Sequence, residues 1–406
     1  MFARRAGWTL DGNPLAGRLE ARRTNGLPVL DLCASNPTDC GLTGAAALLR
    51  AALAELAADP RAARYAPDPK GDLDCRRAVA AYHDRSAEPC AAVDPEHVVL
   101  TAGTSEAYAH LFRLLGDPGD TVLVPSPSYP LFELLAGLEG LAAVPYPLEP
   151  RDGVWRIDFA ALESVADERA RALLVVHPNN PTGTFVRDAD VAPLRRFCEE
   201  RRLALVSDEV FADYAFGPRG PWPASLLDPA GGGPLRFVLS GASKVVALPQ
   251  LKLAWIAAAG PPALRDEAVR RLEVIADAYL SVSGPAQLLW PRLLAGRKEV
   301  QAELRARLVT NRRALAERLA ASSRVTVLPA DGGWYAILRL SAGPDGLAPD
   351  EDGLVTRLLD GPGVLVHPGW FFDLVAADAA HLVLSLLPEP EVFARGVEAI
   401  VRQAGG

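Results

Sequence analysis

Between residues 97 and 258 the chain alternates short runs of consecutive apolar residues with longer stretches of helical periodicity. The apolar runs fall at 97–101, 121–125, 141–146, 172–177, 203–208, 236–240 and 252–258, with helical stretches such as 105–115 and 191–201 between them. A strand open to water on one face alternates apolar and polar residues, whereas apolarity on successive residues belongs to a strand covered on both faces. The pattern predicts an α/β fold whose large part is a mainly parallel, seven-stranded sheet flanked by helices.

The rest of the chain reads differently. A Pro- and Gly-rich loop is expected at 218–234, an Arg-rich helix at about 300–322, and two further strands at 335–340 and 381–386. These predict a smaller α+β domain made of 1–45 and 289–406, against a large domain over 46–288. At 406 residues there is chain enough for two cores. The net charge of −8 argues against a nucleic-acid or anionic-membrane surface. No apolar run approaches the ~20 residues that span a bilayer, and the N-terminal MFARRAGWTL lacks the apolar centre of a signal peptide. Cys33, Cys40, Cys75, Cys90 and Cys198 show no CxxC pairing and no accompanying histidine pattern. Reduced thiols in the cytoplasm and no metal site are therefore expected.

The polar residues concentrate where the apolar runs stop. Residues 97–101 lead into Ala102-Gly103-Thr104-Ser105-Glu106, and 172–177 into Pro178-Asn179-Asn180-Pro181-Thr182-Gly183. Residues 203–206 lead into Ser207-Asp208-Glu209, and 236–240 into Gly241-Ala242-Ser243-Lys244. In a parallel sheet these ends share the edge at which open α/β folds bind ligands. Gly103-Thr104-Ser105 opens a helix and offers backbone N–H groups to a phosphate, although a plain helix cap has the same look. The spacing fits neither GxGxxG nor GxxxxGK[ST], so neither a dinucleotide nor a nucleoside triphosphate is indicated. Asp208 at the end of an apolar strand needs a partner, and Lys244 in a dry site loses its proton readily and becomes a nucleophile.

With these residues in place, the chain resembles the aspartate-aminotransferase-like, fold-type-I enzymes that use pyridoxal phosphate (PLP), the class I/II aminotransferases. The resemblance runs from about residue 31 to 399 through RYAPDPKG (with Tyr65 and Gly71), TAGTSEAY, PSPSYP, HPNNPTG, SDEVFADY and SGASKVVALPQLKLAW, in the family's order. It implies that Lys244 forms the Schiff base with PLP and shuttles the substrate proton. It further implies that Asp208 pairs with the pyridinium nitrogen, Asn180 with the phenolic oxygen, and that Tyr129 stacks on the ring. Gly103, Thr104, Ser105 and Ser243 would bind the phosphate, and Tyr65 would reach the phosphate of a second subunit, making the protein a homodimer with shared sites.

The departures from the family pattern bear on function. Phe211 stands where a tyrosine is usual, removing a donor to the phenolic oxygen and so raising the Schiff-base pKa. Lys252 replaces an arginine that binds the phosphate, giving a point charge without a bidentate fork. Gly241 replaces a frequent serine. Val383, in HLVLSLLPEPEVF, occupies the place of the arginine that holds the substrate α-carboxylate. Either another cation substitutes, with Lys70 and Lys252 as candidates, or the substrate lacks that carboxylate. Trp334, Tyr335 and Trp370-Phe371-Phe372 border the site or pack the core, Tyr279 and Ser283 lie toward the partner subunit, and His177 is structural.

The reading is a PLP-dependent aminotransferase that moves an amino group between an amine or amino acid and a carbonyl or 2-oxo acid. The same carbanion also serves β- or γ-elimination, decarboxylation and cyclisation, and these are the alternatives. A non-catalytic regulatory PLP protein is a further rival, disfavoured because the motifs start near residue 31 with no fused DNA-binding segment.

Overall fold

The computed structural model describes residues 1–8, 13–84, 92–151, 153–218, 220–228, 232–280, 282–342 and 349–405. Cys90 lies outside them.

The seven expected strands all form, and they share one sheet with an eighth. From one edge the order is Val98–Thr101, Ala254–Ala259, Arg236–Gly241, Ala204–Asp208, Ala170–Val176, Thr121–Ser126, Ala142–Arg151 and Val154–Ile157. The added strand folds back antiparallel on Ala142–Arg151 through a turn containing Gly153. Ala254–Ala259 is antiparallel to both of its neighbours. Its direction follows from the connection: residues 242–253 form a short helix, Ala242–Val245, and a 3-10 turn, Pro249–Leu251, so the chain re-enters the sheet at the edge it left.

Both faces of the sheet are covered, as the unbroken apolar runs require. One face packs helices Thr104–Leu115, Leu131–Leu138 and Pro262–Asp277 around Tyr108, Leu111, Phe237 and Leu272. The other carries the larger cluster, which continues without a break from Val175 and Leu205 into Ile337, Val383 and Ile400. Arg236 opens a fully buried strand, and the Pro- and Gly-rich loop before it supplies the acceptors: its guanidinium donates to the carbonyls of Leu227 (3.0 Å), Asp228 (2.7 Å), Gly232 (2.6 Å) and Pro234 (3.1 Å). A buried cation is tolerable only when its donors are satisfied in this way.

After the last strand of this sheet come three helices, Pro262–Asp277 on its face and then Gly284–Ala295 and Arg297–Leu319, of which the pattern signals the last. An antiparallel sheet follows in the order Val325–Val327, Tyr335–Ser341, Ala379–Ser385 and His367–Pro368. The N-terminal segment joins this part, since Leu30–Asp31 pairs in parallel with Val364–Leu365. Among the described residues no helix is long and apolar enough to cross a membrane. Cys33, Cys40, Cys75 and Cys198 are free thiols.

Candidate active site

The strands ending at Thr101, Val176, Asp208 and Gly241 run in one direction, so their polar extensions converge on one edge of the sheet. The antiparallel strand starts at that same edge, which brings Lys252 there too. A cavity of about 390 Å³ opens at this edge, walled by Lys244, Asp208, Asn180, Thr104, Tyr129 and Phe211 together with Tyr335, Phe371 and Phe372. The same wall holds Cys33, Ser35, Tyr108, Ser128 and His367, which the sequence did not single out.

Asp208 is 8% exposed, and burial raises its carboxyl above the usual range. Three groups work against that rise: the backbone N–H of Val210 (3.1 Å), the hydroxyl of Tyr108 (2.9 Å) and the charge of Lys244. Tyr108 is the residue that sequence reasoning missed here. It stands one helical turn after Thr104, on the stripe that packs the sheet, and the apolar spacing masks its polar task. Lys244 lies in the short helix after strand Arg236–Gly241. Burial pushes its ammonium down to about 8, with Asp208 opposing. Its Nζ sits 4.7 Å from the Trp334 ring centre and 5.5 Å from that of Phe211. Its backbone carbonyl accepts the Tyr214 hydroxyl at 2.5 Å, which fixes the turn that presents the amine.

At the opposite wall the adjacent asparagines divide the work. Asn179 holds the loop together: its Oδ1 accepts the Thr182 hydroxyl at 2.9 Å, and its Nδ2 donates to the Pro127 carbonyl at 3.3 Å. Asn180 faces the cavity, and its Oδ1 is buried with no hydrogen-bond partner among the described residues. His177 is committed through both ring nitrogens, to the Val186 N–H (3.0 Å) and the Pro223 carbonyl (3.1 Å), as a structural histidine should be.

Gly103, Ser105, Ser243 and Lys252 stand next to this cavity rather than in its wall. Gly103 precedes helix Thr104–Leu115, whose first turn has no side-chain cap. A Cβ on Gly103 would lie 3.4 Å from Lys252 Nζ, so an ammonium and free helix N–H groups share one spot, a favourable place for an anion. Lys252 itself adopts left-handed backbone, φ 52°. Gly241 has a packing reason: a Cβ there would meet the Ala254 Cβ at 2.9 Å and the Leu253 carbonyl oxygen at 3.1 Å.

Three expected residues lie apart. Tyr65 is 79% exposed and lines a separate cleft of about 300 Å³ with Leu100, Leu280 and Gln287. Lys70 forms an ion pair with Glu96, which also binds Arg76, so it is not available as a substitute cation in the cavity. Trp370 turns away, its indole N–H donating to Asp352 at 2.8 Å. Trp334 is fully buried behind Lys244.

This arrangement agrees with what the chain is similar to. Residues 28–399 match the family "Aminotransferase class I and II". The alanine aminotransferase of Mycobacterium tuberculosis is 29% identical over 385 residues, covering 94% of this chain and 86% of that protein. The arginine–pyruvate transaminase of Pseudomonas aeruginosa is 30% identical over 326 residues, 80% of this chain and 78% of that one. Among solved structures, a single mutant of Thermus thermophilus aspartate aminotransferase superposes with a TM-score of 0.81 at 25% identity over 99% of both chains. An alanine aminotransferase from Pyrococcus furiosus reaches 0.86 at 22% identity over the full length of both, a likeness of fold. With an amine, a buried carboxylate and an anion cradle gathered at the strand ends, the chain belongs to the class I and II aminotransferases.

Proposed function

We propose that this aminotransferase holds pyridoxal phosphate on Lys244 and works as a homodimer. The observation that carries the cofactor is the set of unmet polar needs around one cavity. Among the described residues Asn180 Oδ1 is buried without a hydrogen-bond partner and Asp208 feels the charge of Lys244 but forms no close ion pair, while Lys252 stands beside a helix start without a side-chain cap. The group fits these needs. Asp208 would face its ring nitrogen, Asn180 its phenolic oxygen and Tyr129 its ring face, with Gly103, Thr104, Ser105, Ser243 and Lys252 at the phosphate. When bound, it supplies an electron sink for the carbanion at the substrate's amine-bearing carbon.

The chain supplies the rest. Lys244, with its pKa near 8, is an amine that can hold or release a proton near neutral pH, as acid–base work at the substrate carbon demands. Tyr108, the Val210 N–H and the charge of Lys244 all favour the ionised form of Asp208 against the burial that raises its carboxyl. Trp334 and Phe211 place apolar ring faces beside the amine. The substrates are small amino and oxo compounds.

The purified protein should show the visible absorbance of a covalently held cofactor. Lys244→Ala should lose that absorbance, with turnover falling by on the order of 10²–10⁴. Amine donors should convert the cofactor to its amine form. Ammonia release with no such conversion would reassign the reaction to elimination, and a preparation that cannot be loaded with the cofactor would overturn the proposal.

A further inference from the structure

The antiparallel sheet places Ile337, Val383 and His367 in one cross-strand row. Directly paired residues put their side chains on the same face. Tyr335, two residues from Ile337 along its strand, shares that face, and both Tyr335 and His367 line the cavity of Lys244. The row is thus turned toward the cavity. Val383, in the place where the family resemblance puts a carboxylate-binding arginine, is fully buried and brings no charge.

His367 stands beside it. Its ring stacks on Phe371 (5.1 Å between centres, 11° between planes) and meets Phe372 edge-on at 5.5 Å. Neither ring nitrogen has a hydrogen-bond partner among the described residues. Burial holds the imidazole below its ordinary pKa, against the opposing charge of Asp31, which lies on the neighbouring strand pair. Asp31 Oδ1 is engaged with the Cys33 N–H at 2.9 Å. Among the described residues of the cavity wall, Lys244 is the one side chain that is a lysine or arginine. A carboxylate at the His367 end would meet aromatic rings, a neutral imidazole and the field of Asp31, and no lysine or arginine among this chain's described wall residues besides Lys244 offsets its lost hydration.

We propose that His367 determines specificity at the substrate end by hydrogen-bonding an uncharged polar group. The preferred amine donor then carries an aromatic or large apolar side chain and an amide, ester or hydroxyl in place of the α-carboxylate. This rests on the aminotransferase reading of the same cavity. Neutral recognition follows from the donor and acceptor of an uncharged imidazole, and the aromatic preference follows from Tyr335, Phe371 and Phe372.

The test uses the cofactor-loaded protein and two unreactive probes, 3-phenylpropionamide and 3-phenylpropionate, titrated calorimetrically at pH 8. The amide should bind about tenfold more tightly, the worth of one hydrogen bond to a well-placed partner. His367→Ala should abolish that ratio through the amide alone, and His367→Gln, which keeps a donor and an acceptor, should retain most of it. Equal or tighter binding of the carboxylate, or a ratio unchanged in His367→Ala, would overturn the proposal. Amino-group transfer from L-phenylalanine and from phenylalaninamide is measured on the same preparation. Transfer from L-phenylalanine together with tighter phenylpropionate binding removes this inference and leaves the aminotransferase reading intact. An absence of transfer from every donor removes that reading, and this inference with it.

Discussion

Lys244 and Asp208 shift in opposite directions for the same reason: each would be charged in a place that disfavours charge. For Lys244 the folded value is about 8 against an ordinary 10.5. Between those values the folded chain binds fewer protons than the unfolded chain, so this residue's contribution to stability rises with pH across that window. Asp208 has the reverse sign: its raised carboxyl holds a proton that the unfolded chain has released, and its contribution falls as pH climbs above 3.8. Urea unfolding of the cofactor-free protein at pH 8 and pH 10 tests the lysine. The wild type should lose less stability, or gain more, between the two than Lys244→Met, and equal pH responses would contradict the burial assigned to the amine. Tyr108 belongs with this pair, because its hydroxyl is a donor that an ionised Asp208 retains in the interior.

The strand-to-strand return at Lys244 shows how an element fixes chemistry. Strand Ala254–Ala259 packs so closely on Arg236–Gly241 that position 241 has no room for a side chain. Gly241→Ser, which restores the family's common residue, should destabilise the protein by about 1–3 kcal/mol through overpacking and should not tighten cofactor binding. Urea midpoints and a spectroscopic cofactor titration check both halves. Gly183 makes the same point with backbone strain added. Its φ is 68°, and a Cβ there would come 2.4 Å from the Gly332 carbonyl oxygen, where the Asn loop touches the segment carrying Trp334. Backbone N–H groups of Asp331 and Gly332 both donate to its carbonyl, so this contact ties the Asn loop to the segment leading into the second sheet.

At the scale of the whole molecule, the separation of Tyr65 from Lys244 is the telling fact. Tyr65 is exposed in a cleft of its own, and the proposed shared-site dimer would give it a place at the second subunit's phosphate. Tyr65→Ala should weaken cofactor binding, and a hybrid dimer of Tyr65→Ala with Lys244→Ala chains should contain one wholly native site. Recovery of wild-type cofactor affinity at one of the two sites of the isolated hybrid dimer checks this. A monomer by sedimentation, or hybrids no better than either parent, would count against shared sites.

Local pattern determined much of this protein. Consecutive apolar residues need cover on both faces, which dictated buried strands between helices, and the polar residues just after those strands had to meet at one edge. That logic placed Lys244, Asp208, Asn180, Thr104 and the neighbourhood of Gly103 around one cavity without any long-range information. What it could not reach were relations between residues far apart in the chain. The direction of strand Ala254–Ala259, the hydroxyl of Tyr108 on Asp208, the capture of Lys70 by Glu96 and the placing of His367 beside Val383 all join segments whose sequences carry no mark of each other. Periodicity reports which face of an element is buried; only the packed structure decides what that face meets, and here that choice sets the substrate end of the site.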